Sequence, residues 1–105
     1  MRHVVTAALV VLATAFPAAA QEASDPAAGA VLARTWCSGC HLVDPLQPRG
    51  NDAAPPFVAI AAAPATSPAS LHAFITAPHG QMPDLKLSGQ QVDNLVAYIL
   101  SLRQR

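Results

Sequence analysis

Five consecutive residues, Cys37-Ser38-Gly39-Cys40-His41, contain the clearest chemistry in this chain. The two thiols are separated by two residues, so on one helical turn each can form a thioether with a haem vinyl group. The histidine that follows the second cysteine can then bind the iron from one axial side through its imidazole. The chain contains 2 cysteines in all, so the motif uses both. The C-x-x-C-H spacing therefore indicates covalent attachment of one haem c.

Three other uses of a C-x-x-C pair compete with this interpretation. A redox-active dithiol is typical of a βαβ framework, and the sequence shows no alternation of strands and helices. A zinc site needs further ligands, and no second cysteine pair or spaced histidine pair supplies them. A structural disulfide would suit a small exported domain, but it would close a very small loop and stabilise the fold little. The adjacent His41 favours haem over all three.

Residues 1–20 have the pattern of a secretory signal peptide. A basic start at Arg2 and His3 precedes an apolar run over residues 4–16, and the alanines at 18–20 supply the small-residue cleavage pattern. The run is shorter than a permanent membrane span. An uncleaved membrane anchor is the alternative. We predict cleavage after the last of these alanines and export of the mature chain.

The mature chain, residues 21–105, has the length of one domain. Removal of Arg2 with the signal leaves five basic against six acidic residues. This balance gives no support to nucleic-acid binding, which needs a clustered basic face. A domain of this size has difficulty building a sufficient core from side chains alone, and a buried macrocycle would supply apolar volume. The aromatic residues available to that core are Trp36, Phe57, Phe74 and Tyr98.

The segment before the motif is predicted to be a helix. Ser24 or Asp25 can cap it, and Pro26 suits its first position because that position needs no N–H. Four residues share one face at helical spacing: Gly29, Leu32, Ala33 and Trp36. Glycine is costly inside a helix, so we expect either the close approach of another helix or a tolerated surface glycine.

After the motif, residues 42–67 are rich in alanine and proline, and the prolines preclude a long helix. The apolar residues in this stretch argue against a solvated linker. We predict a short helix from Phe57 to Ala63 inside a loop that wraps the haem. Disorder is the alternative for residues 45–54.

Two further helices are predicted nearer the C-terminus. Ser67 and Pro68 mark the start of one that ends before Pro78; its apolar face comprises Leu71, Phe74 and Ile75. Ser88 and Gln91 form a capping box for the last helix. The apolar stripe of that helix comprises Val92, Leu95, Val96, Ile99 and Leu102. Arg103 and Arg105 follow it, where positive charge suits the helix dipole.

With these elements in order, the chain resembles the class I c-type cytochromes, small soluble electron carriers with a single haem. The resemblance runs from the helix that contains Gly29 through C-S-G-C-H and A-P-P-F to M-P-D-L-K-L-S and A-Y-I-L-S-L. It implies an all-α, cytochrome c-like fold, with crossed N- and C-terminal helices and shorter helices and loops that enclose one covalent haem. Carried over by position, Cys37 and Cys40 hold the haem, His41 is the proximal ligand and Met82 is the distal ligand.

Met82 has support of its own, because it is the one methionine that remains after removal of the signal. A thioether ligand favours Fe(II) and raises the reduction potential relative to a second histidine. Filling of core space is the alternative role for this side chain. His79, three residues earlier, is the rival ligand. His72 is expected at the surface or at the haem edge.

Other features of the family carry over only in part. Lys86 is the single lysine of the chain, so docking through a lysine-rich face is not implied. The resemblance implies that a proline carbonyl, from Pro55 or Pro56, accepts a hydrogen bond from the proximal imidazole. Tyr98 is expected at the crossing of the terminal helices. Arg49 is expected as an exposed loop residue, with a haem propionate as its alternative partner.

The sequence therefore predicts a periplasmic, monomeric electron carrier that cycles one haem iron between Fe(III) and Fe(II) and is not an enzyme. The implied partners are redox proteins: a periplasmic dehydrogenase, an oxidase or a membrane cytochrome complex. Neither nucleic-acid binding nor a membrane span after signal cleavage is expected. The alternative is a haem c subunit, or a ligand-binding or catalytic haem protein with an exchangeable distal site.

Overall fold

The computed structural model describes residue 15 and residues 22–48, 53–77 and 80–104. Among these residues the regular elements are helices and no strand occurs, which confirms the all-α prediction. In order they are α1 (Pro26–Leu32), α2 (Phe57–Ala62), α3 (Pro68–Thr76) and α4 (Gly89–Ser101). A π-helical turn, Ala33–Cys37, extends α1, and a 3-10 turn, Leu102–Gln104, extends α4. In the described part of the chain, no helix is long and apolar enough to cross a membrane.

Most predicted helix starts are confirmed. The Asp25 carboxylate accepts a hydrogen bond of 2.9 Å from the N–H of Ala27, directly before the proline that opens α1. Ser67 caps α3, and Ser88 exchanges capping-box hydrogen bonds with Gln91 at the start of α4. These caps satisfy backbone N–H groups that the first turn of a helix leaves without partners. The predicted signal peptide lies outside the described residues, apart from the alanine at 15.

Helices α1 and α4 make the principal helix contact of the structure. At their crossing, a Cβ atom added to Gly29 would lie 2.0 Å from the carbonyl oxygen of Asn94 and 2.8 Å from the Cβ of Tyr98. No side chain fits in that space, so the glycine is required by the approach of the second helix. The expectation of close helix approach is confirmed, and Tyr98 lies at the crossing as predicted.

The predicted apolar stripe of α4 is confirmed as the centre of the core, because each of its members is buried: Val92, Leu95, Val96, Ile99 and Leu102. Residues from the preceding elements pack with them: Ala33, Val43, Phe57, Ala61 and Leu71. Helix α2 contacts both α4 and its 3-10 extension, so the short helix predicted after the motif lies against the end of the terminal helix.

Two aromatic predictions are wrong. Trp36 was expected on the same face as Ala33, but its side chain is 60% exposed. The π-helical turn is wider than an α-helical turn, so Cys37 takes the buried position in its place. Phe74 is 59% exposed. It lies about 100° around the α3 axis from Ile75, outside the narrow face through which Leu71 and Ile75 contact the core.

Arg103 makes contacts that the dipole argument did not anticipate. Its Nε donates a hydrogen bond of 2.6 Å to the carbonyl oxygen of Ala61, and its Nη2 donates to the carbonyl oxygen of Thr66. The side chain therefore joins the end of α4 to the last turn of α2 and to the loop that follows it. Arg105 and Arg49 lie outside the described residues.

Replacement of Gly29 by alanine tests the helix crossing. Gly29→Ala should lower the free energy of unfolding by about 1–3 kcal/mol, because α1 and α4 must separate to admit the methyl group. Gly89→Ala is the matched control, since no atom lies within 4 Å of a Cβ added there. Equilibrium denaturant unfolding, followed by circular dichroism, measures both. Equal losses in the two variants would contradict the close approach.

Candidate functional site

The C-x-x-C-H motif lies where the π-helical turn ends. The carbonyl oxygen of Cys37 accepts hydrogen bonds from the N–H of Cys40 at 3.2 Å and from the N–H of His41 at 2.9 Å. The hydroxyl of Ser38 donates to the carbonyl of Arg34 at 2.6 Å, which extends the helical bonding into the motif. The structure therefore brings both thiols and the imidazole into one compact turn, as the spacing predicted.

The two thiols occupy different environments. Both are free, so no disulfide joins them. Cys37 is 6% exposed and packs within the core, whereas Cys40 is exposed. Burial raises the pKa of the Cys37 thiol to about 11, because an apolar environment disfavours the thiolate. A covalent group held by both sulfurs would thus be anchored to the core on one side and meet the surface on the other.

The imidazole of His41 is held by two contacts. Its Nδ1 lies 2.6 Å from the carbonyl oxygen of Pro55. A carbonyl only accepts hydrogen bonds, so Nδ1 is the donor, and in the neutral imidazole Nε2 then has the lone pair that can bind a metal. The ring of Phe57 packs against the imidazole with a centroid distance of 5.1 Å and an interplanar angle of 56°. Of the two candidate prolines, Pro55 supplies the carbonyl.

Helix α2 is placed by the same region of the chain. The N–H of Phe57 donates a hydrogen bond of 2.9 Å to the carbonyl of Leu42, the residue directly after His41. The Phe57 side chain is buried, so the start of α2 is fixed both by its backbone and by the core. The loop from His41 to α2 therefore returns to its own beginning and presents Pro55 to the imidazole.

A second set of hydrogen bonds supports the chain behind the motif. The hydroxyl of Tyr98 donates to the carbonyl of Val43 at 2.7 Å. Gln47 accepts a hydrogen bond from the N–H of Val43 at 3.1 Å, and its amide nitrogen lies 3.5 Å from the carbonyl oxygen of Ser38. Sequence reasoning missed Gln47, because a lone polar residue in a proline-rich loop carries no pattern that predicts its partners.

Met82 lies in a segment without helix that leads into α4. Its side chain is half-buried and lines a cavity of about 250 Å³. The apolar residues that share this lining include Ile75, Leu87 and Val92. Among the described residues, the lining includes none from the C-x-x-C-H motif. The rival ligand, His79, lies outside the described residues.

The same cavity is bordered by an exposed ion pair. The ammonium of Lys86 lies 2.7 Å from a carboxylate oxygen of Asp84. This hydrogen bond lowers the pKa of Asp84 and raises the pKa of Lys86, since each group stabilises the charged form of the other. The single lysine of the chain is therefore already paired.

His72 lies elsewhere, in the lining of a more open cavity of about 590 Å³. This lining also contains Glu22, Ser24 and Asp93 and, among the described residues, none from the motif. The exposure of His72 agrees with the surface position expected for it.

The donor set fits a covalently bound haem. Cys37 and Cys40 are free to form thioethers, and Nε2 of His41 is the nitrogen available to an iron. The hydrogen bond at Nδ1 is the kind of contact that orients metal-bound histidines and strengthens them as ligands. The fold and the donor set together define a small all-α protein of the c-type haem class.

Comparisons with known proteins agree with this class. Residues 24–99 match the family model described as "Cytochrome C oxidase, cbb3-type, subunit III". The chain is 37% identical over 94 residues to "Cytochrome c-552" of Bradyrhizobium diazoefficiens, and the aligned region covers 90% of each chain. No solved structure matches the chain. The chain therefore belongs to this family of class I c-type cytochromes, whose function is electron transport through a covalently bound haem c.

Removal of one hydroxyl tests the support behind the motif. Tyr98→Phe should lower the free energy of unfolding by about 1–2 kcal/mol, because the buried carbonyl of Val43 loses its donor. Amide exchange in residues 43–47 should also become faster. Thr35→Val is the control, since the Thr35 hydroxyl donates to the carbonyl of Val31 at an exposed position where water can replace it. A Tyr98 variant no less stable than the Thr35 variant would contradict this role.

Proposed function

We propose that this protein is a monomeric periplasmic electron carrier that passes single electrons between partner proteins and is not an enzyme. Residues 1–20 are its signal peptide, and residues 21–105 are its cytochrome c domain. One observation carries the proposal. The imidazole of His41 is fixed between Pro55 and Phe57 with Nδ1 directed at the Pro55 carbonyl, directly beside two free thiols.

Cys37 and Cys40 attach the cofactor in this proposal. Each S–H adds across a vinyl C=C bond, so the thioether forms without an external oxidant. The buried Cys37 ties this attachment to the core, and Nε2 of His41 supplies the proximal ligand. The haem, when bound, supplies an iron that alternates between Fe(III) and Fe(II).

Met82 is the proposed distal ligand. Its half-buried side chain lines a cavity together with the apolar residues Ile75 and Leu87. Its soft sulfur favours Fe(II). His41 and Met82 would together hold the iron with the same donor atoms in both oxidation states, which suits electron transfer. His79 is the competing ligand, and replacement of each residue in turn separates the two.

The charge of the mature chain is close to balanced, so we expect it to dock with its partners without strong electrostatic steering. The mature chain carries nearly equal numbers of acidic and basic residues, and Lys86 is paired with Asp84. Electrostatic steering raises the association rate when a protein has a large surface patch of one charge sign. The proposed partners are a periplasmic dehydrogenase, an oxidase or a membrane cytochrome complex, and small transient interfaces are typical of such electron-transfer encounters.

A second candidate function is that of a haem c subunit within an oxidase. The description of the matching family model, which names a subunit of a cbb3-type oxidase, favours it. A free carrier should be recovered from the periplasmic fraction as a monomer. A subunit should remain in detergent-solubilised membranes together with the haem proteins of its complex.

Covalent attachment is tested by extraction. Wild-type protein should keep its haem in acidic acetone and give a haemochrome spectrum with two thioethers. Intact mass should correspond to residues 21–105 plus one haem. The double variant Cys37→Ala with Cys40→Ala should accumulate as little folded protein, because a bound cofactor stabilises the folded state. Ser38→Ala, between the two cysteines, is the control and should retain haem. Haem that leaves the wild-type protein on extraction would rule out this attachment.

Replacement of Met82 tests the distal ligand. Met82→Ala should stay red and helical, because the thioethers and His41 still hold the haem. Its reduction potential should fall by on the order of a hundred millivolts, since water or an imidazole favours Fe(III) more than a thioether does. It should also bind carbon monoxide. His79→Ala is the matched control and should keep the wild-type spectrum. If His79→Ala changes the spectrum and Met82→Ala does not, His79 is the ligand.

A further inference from the structure

We propose that Arg103, at the far end of the chain, positions the imidazole of His41 through helix α2 and so helps to set the reduction potential. The inference rests on the proposed function, in which His41 is the proximal ligand. In the described part of the chain, the hydrogen bonds of Arg103 go to Ala61 and Thr66, which lie outside the motif and the loop that follows it. Its effect would pass through a short helix that contacts Arg103 at one end and His41 at the other.

At the C-terminal end of α2, Arg103 donates to two backbone carbonyls. Nε donates to Ala61 at 2.6 Å, and Nη2 donates to Thr66. The last carbonyls of a helix have no partners within it, so a side chain must satisfy them where water does not. Bonds from a charged guanidinium are stronger than neutral ones. The Thr66 hydroxyl donates in turn to Ile60 at 2.6 Å, which closes the loop onto the helix.

At the N-terminal end, the same helix contacts His41. The carbonyl oxygen of Pro55 accepts a hydrogen bond from Nδ1 of His41, with the two atoms 2.6 Å apart. The ring of Phe57 packs against the imidazole, and the N–H of Phe57 donates to the carbonyl of Leu42. Helix α2 has 6 residues, so it spans only about 9 Å. A helix this short has little stability of its own, and its position depends on tertiary contacts at both ends.

The core allows this helix few alternative positions while Arg103 holds it. Ala61 is fully buried and Phe57 is 4% exposed, so both ends pack against neighbouring side chains. Helix α2 also contacts the 3-10 turn that carries Arg103. Loss of the guanidinium removes two hydrogen bonds from one end. The helix can then shift, and the carbonyl of Pro55 moves relative to Nδ1 of His41.

The sign of the effect follows from the hydrogen bond at Nδ1. A short bond to a carbonyl makes the imidazole a stronger electron donor, which favours Fe(III) and lowers the potential. A longer bond should therefore raise the potential. Loss of the positive charge alone would act in the opposite direction, because a nearby cation favours Fe(II). On loss of Arg103, a shift of helix α2 should thus raise the reduction potential, whereas the loss of charge alone should lower it.

The test compares Arg103→Met and Arg103→Lys in the purified haem protein. Spectroelectrochemistry should give a more positive reduction potential for both variants, because neither side chain can donate to the carbonyls of Ala61 and Thr66 at once as the guanidinium does. Amide exchange at Phe57 should become faster, and the Nδ1 proton resonance of His41 should shift. Arg34→Met is the charge control: it removes another arginine, which lies 3.7 Å from Asp44, and should leave the Phe57 exchange and the His41 proton unchanged.

Three results would overturn the proposal. A lower potential in Arg103→Met with no change in Arg103→Lys would show that only charge acts. Reduced stability with an unchanged potential and an unshifted His41 proton would show a purely structural role. If Arg103→Met does not accumulate, an unchanged potential in Arg103→Lys would be sufficient to reject it. Failure of the proposed function would look different, since wild-type protein would then lack covalent haem.

Discussion

The contact between Gly29 and the backbone of Asn94 is the constraint on which the other contacts depend. It lets α1 approach α4 more closely than any side chain at that position would permit. The side chain of Asn94 accepts a hydrogen bond of 2.8 Å from the N–H of Asp25, which fixes the start of α1 on the same helix. With α1 held there, Cys37 enters the core at the end of the π-helical turn, and Tyr98 reaches the carbonyl of Val43.

The geometry of the motif therefore comes from distant parts of the chain. C-x-x-C-H is local in sequence, but the ring of His41 is oriented by Pro55 and Phe57, fourteen and sixteen positions away. The loop after it is held by Tyr98, which lies 55 positions from Val43. Each of these contacts closes a long loop, and such closures cost entropy that the burial of Phe57 and the α4 stripe must offset. The chemistry is encoded in five residues and the orientation in the whole fold.

Local signals allowed the helix starts to be predicted, since caps and the proline at the first helical position act within one turn. The α4 stripe was predictable because five apolar residues repeat at helical spacing. The exposure of Trp36 was not predictable, because a π-helical turn has no local sequence signature and changes which residues face the core. The hydrogen-bond partners of Gln47 and Arg103 could not be predicted either, since these long polar side chains reach carbonyls that only the tertiary fold brings near. The motif residues themselves were predictable because cofactor chemistry fixes their types and spacing.

His41 and Met82 lie in segments that are built by different means. On the His41 side, the carbonyl of Pro55 and the buried ring of Phe57, at the start of α2, hold the imidazole. On the Met82 side, the chain runs through a segment without helix, in which Lys86 has a left-handed backbone with φ of 52°. Such a backbone is unfavourable for a residue with a side chain. The exposed Asp84 carboxylate compensates by accepting from both the N–H and the ammonium of Lys86. Exposed pairs of this kind stabilise little, and segments outside helices open most readily. The imidazole of His41 is therefore fixed by contacts that reach the core, whereas the segment that contains Met82 should be the first of the two to rearrange.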